Sequence, residues 1–173
     1  HPHLQKKIQD TLAPVWEANH VWLIAVIVIL FVGFPVVYAE LMTMLFVPVS
    51  LALLGIILRG AFFTFRKYDP DPRVRQALYS ILFRASSALV PMMYGMIIAA
   101  LLGTFPVVPP DGGASFGELY VRPWATWLGL VCAVFVFFLF GYVAAVFLYG
   151  ELDNDDDRAV IRRRILQLFA ATF

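Results

Sequence analysis

The chain of 173 residues is 61% hydrophobic and 14% charged, with a mean hydropathy of +0.81, whereas a soluble domain is about 45–50% apolar and about 25% charged. This composition excludes an ordinary soluble domain and indicates an integral membrane protein. The net charge of +1 is the sum of separate acidic and basic clusters, so we expect no nucleic-acid binding. Cys132 is the one cysteine, which excludes an internal disulfide and a cysteine-rich metal site.

The two ends of the sequence suggest a truncated chain. His1-Pro2-His3 is neither an initiator methionine nor the basic start of a signal peptide. At the other end, residues 161–173 enter a new apolar segment when the sequence stops. We therefore expect that both ends are cut.

Four apolar runs are long enough to cross a bilayer, since about 20 helical residues rise about 30 Å. The predicted spans cover residues 21–39, 41–63, 85–105 and 124–149. Pro35 and Pro91 are expected to kink the first and third spans. With no soluble domain apparent, the sequence predicts an all-α fold: residues 1–173 form one polytopic transmembrane helix bundle with four complete spans and the start of another helix.

The distribution of Lys and Arg predicts the orientation of these spans. Basic residues precede the first span, fill the loop 66–84 and follow the fourth span, whereas the loop 106–123 contains Arg122 alone. We therefore expect the loop 66–84 to be cytoplasmic and the loop 106–123 to be external. Within the cytoplasmic loop, the Asp-Pro repeat at 69–72 disfavours helix, which can restart over 73–80.

A polar arc stands at the cytoplasmic mouth of the first span. At about 100° per helical residue, Asn19, Trp16, His20 and Glu17 fall within an arc of roughly 160°. One interpretation makes Glu17 a proton-accepting carboxylate with His20 as a relay partner. The other makes Glu17 a solvated residue that the helix macrodipole favours in a first turn. His20 has no second ligand at helical spacing, so we expect no metal or haem site there.

Arg59 is predicted at the cytoplasmic end of the second span, at the same level as Glu17. It can pair with Glu17 or flank an anionic ligand, or it can be a snorkelling anchor of the positive-inside type. The four tryptophans are better explained as interfacial anchors than as quinone stackers. The sequence contains no phosphate-binding glycine loop, catalytic triad or zinc motif.

Two segments resemble subunit II of the cytochrome bd-type quinol oxidases. Residues 13–23, A-P-V-W-E-A-N-H-V-W-L, are similar to the family pattern P-x-W-D-G-N-E/Q-x-W-L, and residues 58–66, L-R-G-A-F-F-T-F-R, are similar to L/F-R-G/P-x-x-F-E/D-F/Y-R. The chain departs from these patterns at four positions, which are Glu17 for Asp, Ala18 for Gly, His20 for Glu or Gln, and Thr64 for an acid. The resemblance covers about four of eight expected spans, without the opening helix and the later half of the subunit.

The resemblance implies a role in a bacterial cytoplasmic (inner) membrane complex that oxidises quinol and reduces oxygen to water. Haems b and d are expected on the partner, subunit I, and this chain is expected to bind no cofactor of its own. Further partners implied are small accessory subunits, membrane lipid and quinone. The family's acid after the first Trp belongs to a cytoplasmic proton pathway, and here that position is Glu17. The residues expected in this pathway are Glu17, Trp16, Asn19, His20, Arg59 and Thr64.

Two alternatives remain open at the level of sequence, a secondary transporter and a structural membrane scaffold. Transporters usually place polar residues and broken helices near the midplane, whereas the ionisable groups here lie at the ends of the spans. That pattern disfavours transport. The sequence leaves open which quinone is used and whether a structural quinone binds this subunit.

Overall fold

The computed structural model describes residues 2–68, 72–103, 115–152 and 154–172, without the side chains of residues 2–14, 16, 17, 20, 66–68 and 72–76. This part of the chain is helical and contains no strand, which confirms the predicted all-α class. The helices are α1 (Pro2–Gly33), α2 (Pro35–Met44), α3 (Phe46–Tyr68), α4 (Pro72–Leu102), α5 (Phe116–Tyr120), α6 (Trp127–Gly150) and α7 (Asp155–Thr172).

Three helical segments in the described part are long and apolar enough to cross a membrane by themselves, Phe46–Phe65, Ala77–Leu102 and Trp127–Gly150. A fourth span results if Val21–Gly33 and Pro35–Met44 are counted as one bent pair. The chain is therefore a multi-pass membrane protein, and the span count agrees with the predicted helix bundle. Helix α7 is the additional helix that was expected after the fourth span.

The first apolar run is broken where the sequence predicts only a kink. Helix α1 ends at Gly33, α2 begins at Pro35, and the two axes differ in direction by 120°. Pro35 has no N–H to continue the α1 hydrogen-bond ladder, and the residue before a proline is disfavoured in helical geometry, so Phe34 leaves the helix. The rings of Phe31 and Tyr38 then meet edge to face across the corner, with centroids 5.2 Å apart.

Helix α4 begins earlier than the predicted third span. Pro72 occupies its first position, where the missing N–H costs nothing, and the helix continues through Arg84 to Leu102. Pro91 lies inside this helix, where it removes the N–H that would bond to the Ser87 carbonyl. Arg84 is thus placed within an apolar helix and not at the end of a loop.

The described chain separates into two compact units, each treated by itself, His1–Glu40 with Phe138–Phe173 and Leu41–Phe137. In the second of these, α3 and α4 form an antiparallel hairpin. Gly55 approaches Val90 so closely that an added Cβ would lie 2.7 Å from Val90 Cγ2. The first half of α6 meets α4 at Gly95, where an added Cβ would lie 2.5 Å from the Ala133 Cα.

In the unit that contains residues 138–173, the end of α6 and α7 form another antiparallel hairpin. Its core consists of Leu148, Leu152 and Ile161, with Ile165 packed against it. Farther from the turn, Leu168 lies against Gly141, where an added Cβ would be 3.5 Å from Leu168 Cδ2. This hairpin is held by aliphatic side chains that fill the space between the helices.

The short helix α5 begins with a capping box. The Ser115 hydroxyl accepts a hydrogen bond from the Glu118 amide, and the Glu118 carboxylate accepts one from the Ser115 amide. Hydrogen bonds from the Ser115 backbone and side chain lower the pKa of the exposed Glu118 carboxyl, with a smaller contribution from the charge of Arg122. Local hydrogen bonding therefore fixes the start of α5 without any buried residue.

Candidate functional site

The predicted polar arc lies on a continuous helix. Helix α1 runs through residues 16–20, so these positions have the helical spacing that the prediction requires. The side chain of Asn19 is exposed, whereas the side chains of Trp16, Glu17 and His20 lie outside the described residues. That Trp16, Glu17 and His20 share a polar face with Asn19 therefore stays a prediction.

Arg59 lies inside α3, two turns before the helix ends. Its side chain is half-buried, and its guanidinium carbon stands 5.9 Å from the centroid of the Phe83 ring on α4. A cation above the face of an aromatic ring is attracted to the electron density of that face, and the attraction is larger when water is excluded. The structure thus places Arg59 in contact with α4, and its role in a proton pathway or as a snorkelling anchor stays a prediction.

Thr64 lies one turn beyond Arg59 on the same helix. Its hydroxyl donates a hydrogen bond to the Gly60 carbonyl at 3.0 Å, and the side chain is exposed. Because the hydroxyl proton is used within the helix, the oxygen is left with lone pairs that accept from water or another donor. Thr64 can therefore support a bound water, but it cannot replace the proton-carrying acid of the family pattern.

An aromatic cluster surrounds this end of the α3–α4 hairpin. Tyr79 stacks on Phe62 with centroids 6.1 Å apart, and Phe65 lies 6.0 Å from Tyr79 and 6.3 Å from Phe62. The sequence reasoning did not identify this cluster. In the sequence, the signal is the spacing of aromatic residues: Phe62 and Phe65 on α3 lie opposite Tyr79 on α4, and Phe63 lies opposite Phe83. This spacing is recognisable only when the antiparallel register of the two helices is known.

The predicted site residues are divided between the two units. Trp16, Glu17, Asn19 and His20 belong to the unit that contains α1, whereas Arg59 and Thr64 belong to the α3–α4 hairpin. The pairing of Glu17 with Arg59 therefore stays a prediction. Among the side chains that the structure describes, no three His, Cys, Asp or Glu groups converge as metal ligands would. The expectation that this chain binds no haem also stays a prediction.

Comparison with known proteins gives two matches. The sequence profile of the family described as cytochrome bd terminal oxidase subunit II matches residues 3–173. The chain is also similar to a protein of Bacillus subtilis (strain 168) described as cytochrome bd ubiquinol oxidase subunit 2, with 29% identity over 109 residues. That alignment covers 62% of this chain and 32% of the relative, so the chain matches about a third of the relative's length.

No solved structure matches the chain. The family match nevertheless extends over nearly the whole sequence and includes both segments that carry the resemblance, residues 13–23 and 58–66. The helical, strand-free architecture of the described part agrees with a membrane subunit. The chain belongs to the cytochrome bd terminal oxidase subunit II family.

Proposed function

We propose that this chain is the haem-free subunit II of a membrane-bound bd-type oxidase, which oxidises quinol and reduces oxygen to water. The observation that carries this proposal is the family match over residues 3–173. The Bacillus subtilis relative is described as a ubiquinol oxidase subunit, which supports a quinol as the substrate of the complex. Haems b and d are assigned to the partner subunit I, and the complex to the bacterial cytoplasmic membrane.

In this proposal the chain supports the haem subunit and supplies part of a proton route from the cytoplasm. Oxygen reduction consumes protons, so a carboxylate that takes them up from the inner side contributes to charge separation across the membrane. Glu17 has the position for this role, because it stands on α1 four residues before the apolar segment Val21–Gly33 begins. An ionisable group at the edge of an apolar span costs free energy through desolvation, which supports a functional role for it.

The proposal also assigns Arg59 and Thr64 of the α3–α4 hairpin to this route. Arg59 places a fixed positive charge in a half-buried position against Phe83. A nearby cation favours the ionised form of a carboxyl group and so keeps a proton acceptor ready. Thr64 has lone pairs available for a water molecule that would extend the route.

The test is the substitution Glu17→Gln in the purified complex, which removes the titrating carboxyl group and keeps its size. We expect quinol-dependent oxygen consumption to fall by about tenfold or more, since positioned proton-transfer groups contribute at least this much to rate. Haem absorbance and the KM for quinol should stay unchanged. Glu17→Asp should retain most of the activity, and Glu40→Gln, an exposed carboxylate on α2, is the matched control.

Two outcomes would contradict the proton route. The first is normal turnover in an assembled Glu17→Gln complex. The second is that Glu17→Gln loses the haem subunit from part of the preparation, while the assembled Glu17→Gln complex and the Glu17→Asp complex are both fully active. That result would make Glu17 a structural residue. The transporter alternative predicts instead that the purified chain has no haem-bearing partner.

A further inference from the structure

Arg84 lies in an unusual position on helix α4. Its side chain is exposed on the surface of the apolar segment Ala77–Leu102, seven residues past the start of that segment. Among the residues that the structure describes, Arg84 makes no ion pair or hydrogen bond. A guanidinium that faces hydrocarbon without a counter-charge is costly, so we expect a residue of this kind to extend to the interface or to pair with an anion.

The depth of Arg84 follows from the register of the hairpin. Arg59 of α3 stands over the ring of Phe83, so Arg84, the next residue, lies at nearly the same level as Arg59. The apolar segment of α4 has 26 residues and is longer than the roughly 30 Å core of a bilayer. With this segment centred in such a core, Arg84 lies about one helical turn inside the hydrocarbon, within reach of the headgroups for a long side chain.

The side chains of Arg59 and Arg84 are directed towards opposite sides, because α3 and α4 run in opposite directions. In an α-helix the Cα–Cβ bonds tilt towards the N-terminus, and long side chains follow that direction. Helix α4 starts at the basic segment 66–75, so the Arg84 side chain is directed towards the headgroups on that side. Helix α3 runs the opposite way, so Arg59 is directed towards the membrane interior, where the Phe83 ring receives it.

We propose that Arg84 binds the headgroup phosphate of an anionic phospholipid in the leaflet adjacent to residues 66–75. The path from Arg84 to the interface passes over Leu78 and Ile81, which are 54% and 61% exposed and supply apolar contact for the lipid. The segment 66–75 contains Arg66, Lys67, Arg73 and Arg75, and such basic clusters beside a span attract anionic lipid. A phosphate at the interface neutralises Arg84 without any buried acid.

A carboxylate of a partner subunit is the competing counter-charge. It would have to lie inside the hydrocarbon or at its edge, where the charged form of a carboxyl group is penalised. The phospholipid has its charge at the interface already, and the direction of the Arg84 side chain brings the guanidinium there. The geometry therefore favours the lipid.

The experiment measures the binding of phosphatidylglycerol and phosphatidylcholine to the purified protein with its partner, by native mass spectrometry during lipid titration. We expect the wild type to bind phosphatidylglycerol more tightly than phosphatidylcholine. Arg84→Gln should weaken phosphatidylglycerol binding by about fivefold, the usual contribution of one basic residue near an anionic surface. Arg84→Lys should bind within about twofold of wild type, and Arg122→Gln, an exposed arginine on the opposite side of the predicted topology, should equal wild type.

The proposal is wrong if Arg84→Gln binds phosphatidylglycerol as tightly as the wild type does. It is also wrong if the wild type does not distinguish the two lipids, a refutation that needs no variant and is available even if Arg84→Gln fails to insert. If Arg84→Glu loses the partner subunit while the wild type shows no preference for phosphatidylglycerol, then the counter-charge is a carboxylate of that partner.

Discussion

The α3–α4 hairpin and the α6–α7 hairpin are both antiparallel, but their helices meet through different residues. Around the middle of α4 the helices approach most closely at glycines, because Gly55 of α3 lies against Val90, and Gly95 of α4 lies against the α6 backbone at Ala133. Between α6 and α7, contact depends on leucine and isoleucine, and Leu152 at the turn has no exposed surface. The first arrangement brings backbones close together, and the second separates them by packed side chains.

The two kinds of helix contact suit different surroundings, lipid in one case and water in the other. Within a bilayer, aliphatic side chains gain little by leaving lipid for protein, so helices associate by close packing of small residues. Near water, burial of an aliphatic side chain is favourable in itself. The α6–α7 turn has exposed polar residues on both sides, Glu151, Asn154 and Asp155, so Leu152 is buried away from water and not from lipid.

The largest expected effect is that of Leu152→Ala, which tests whether the α6–α7 turn depends on burial away from water. Removing a fully buried leucine side chain leaves a cavity and should destabilise the protein by about 2–5 kcal/mol. The measurement is the unfolding free energy of the purified protein in detergent. Leu166→Ala, at a position on α7 that is 61% exposed, is the matched control and should change stability little. Equal losses for the two variants would mean that the turn has no core of its own.

A smaller effect, with opposite signs at two sites, is expected for glycine-to-alanine substitutions. Gly95→Ala places a Cβ against the Cys132 carbonyl and the Ala133 Cα, and since backbone atoms cannot move aside easily, it should cost about 1–3 kcal/mol. At Gly141→Ala the new methyl group makes an ordinary contact of 3.5 Å with Leu168, so the better helix propensity of alanine should leave stability unchanged or raise it by up to about 1 kcal/mol.

The measurement is again the unfolding free energy in detergent, with Gly150→Ala as a reference, because nothing lies within 4 Å of an added Cβ there. If Gly95→Ala and Gly141→Ala shift stability in the same direction and by the same amount, the α4–α6 contact and the α6–α7 hairpin do not differ in the closeness of their helices.

The helical class and the membrane location were predictable because they depend on composition and on runs of apolar residues, which need no knowledge of contacts. The corner at Pro35 was only partly predictable. A proline near the end of a span predicts a disturbance, but the 120° change of direction depends on how the chain continues beyond Phe34. The start of α4 at Pro72 agrees with the predicted restart of helix over residues 73–80, but the span was predicted only from residue 85, because the charge of Arg84 interrupts the apolar run.

The residue types of the candidate site come from the sequence, and their roles stay predictions, whereas the contacts of Arg59 require the structure. The family resemblance identifies Glu17 and Arg59 from linear motifs. The position of Arg59 over the Phe83 ring can be predicted only when the register of α3 against α4 is known. The close approach at Gly55 and the stacked rings of Phe62 and Tyr79 set that register. Neither of these contacts can be recognised from the sequence of one helix alone.

The smallest effect concerns the polar side of the α6–α7 turn and separates two of the partners of Arg158, whose guanidinium carbon also stands 5.9 Å from the centroid of the Tyr149 ring. The Arg158 Nε donates a hydrogen bond to the Leu152 carbonyl at 2.6 Å, whereas its distance to the Asp155 carboxylate is 3.9 Å. The carboxylate is 98% exposed, and pairs of this kind contribute about 0–1 kcal/mol. Arg158→Met keeps the length of the side chain and loses the hydrogen bond, so it should cost about 0.5–1.5 kcal/mol.

Asp155→Asn should change stability less than Arg158→Met does, and the cost of Arg158→Met should be nearly independent of salt concentration. The reason is that a hydrogen bond to a carbonyl beside the buried Leu152 is screened little, whereas an exposed ion pair is screened strongly. Unfolding free energies at low and high salt make this comparison, with Arg163→Met, an exposed arginine on α7, as control. If added salt removes the cost of Arg158→Met, the turn is held by the ion pair, and the fixed position of the Leu152 backbone needs another explanation.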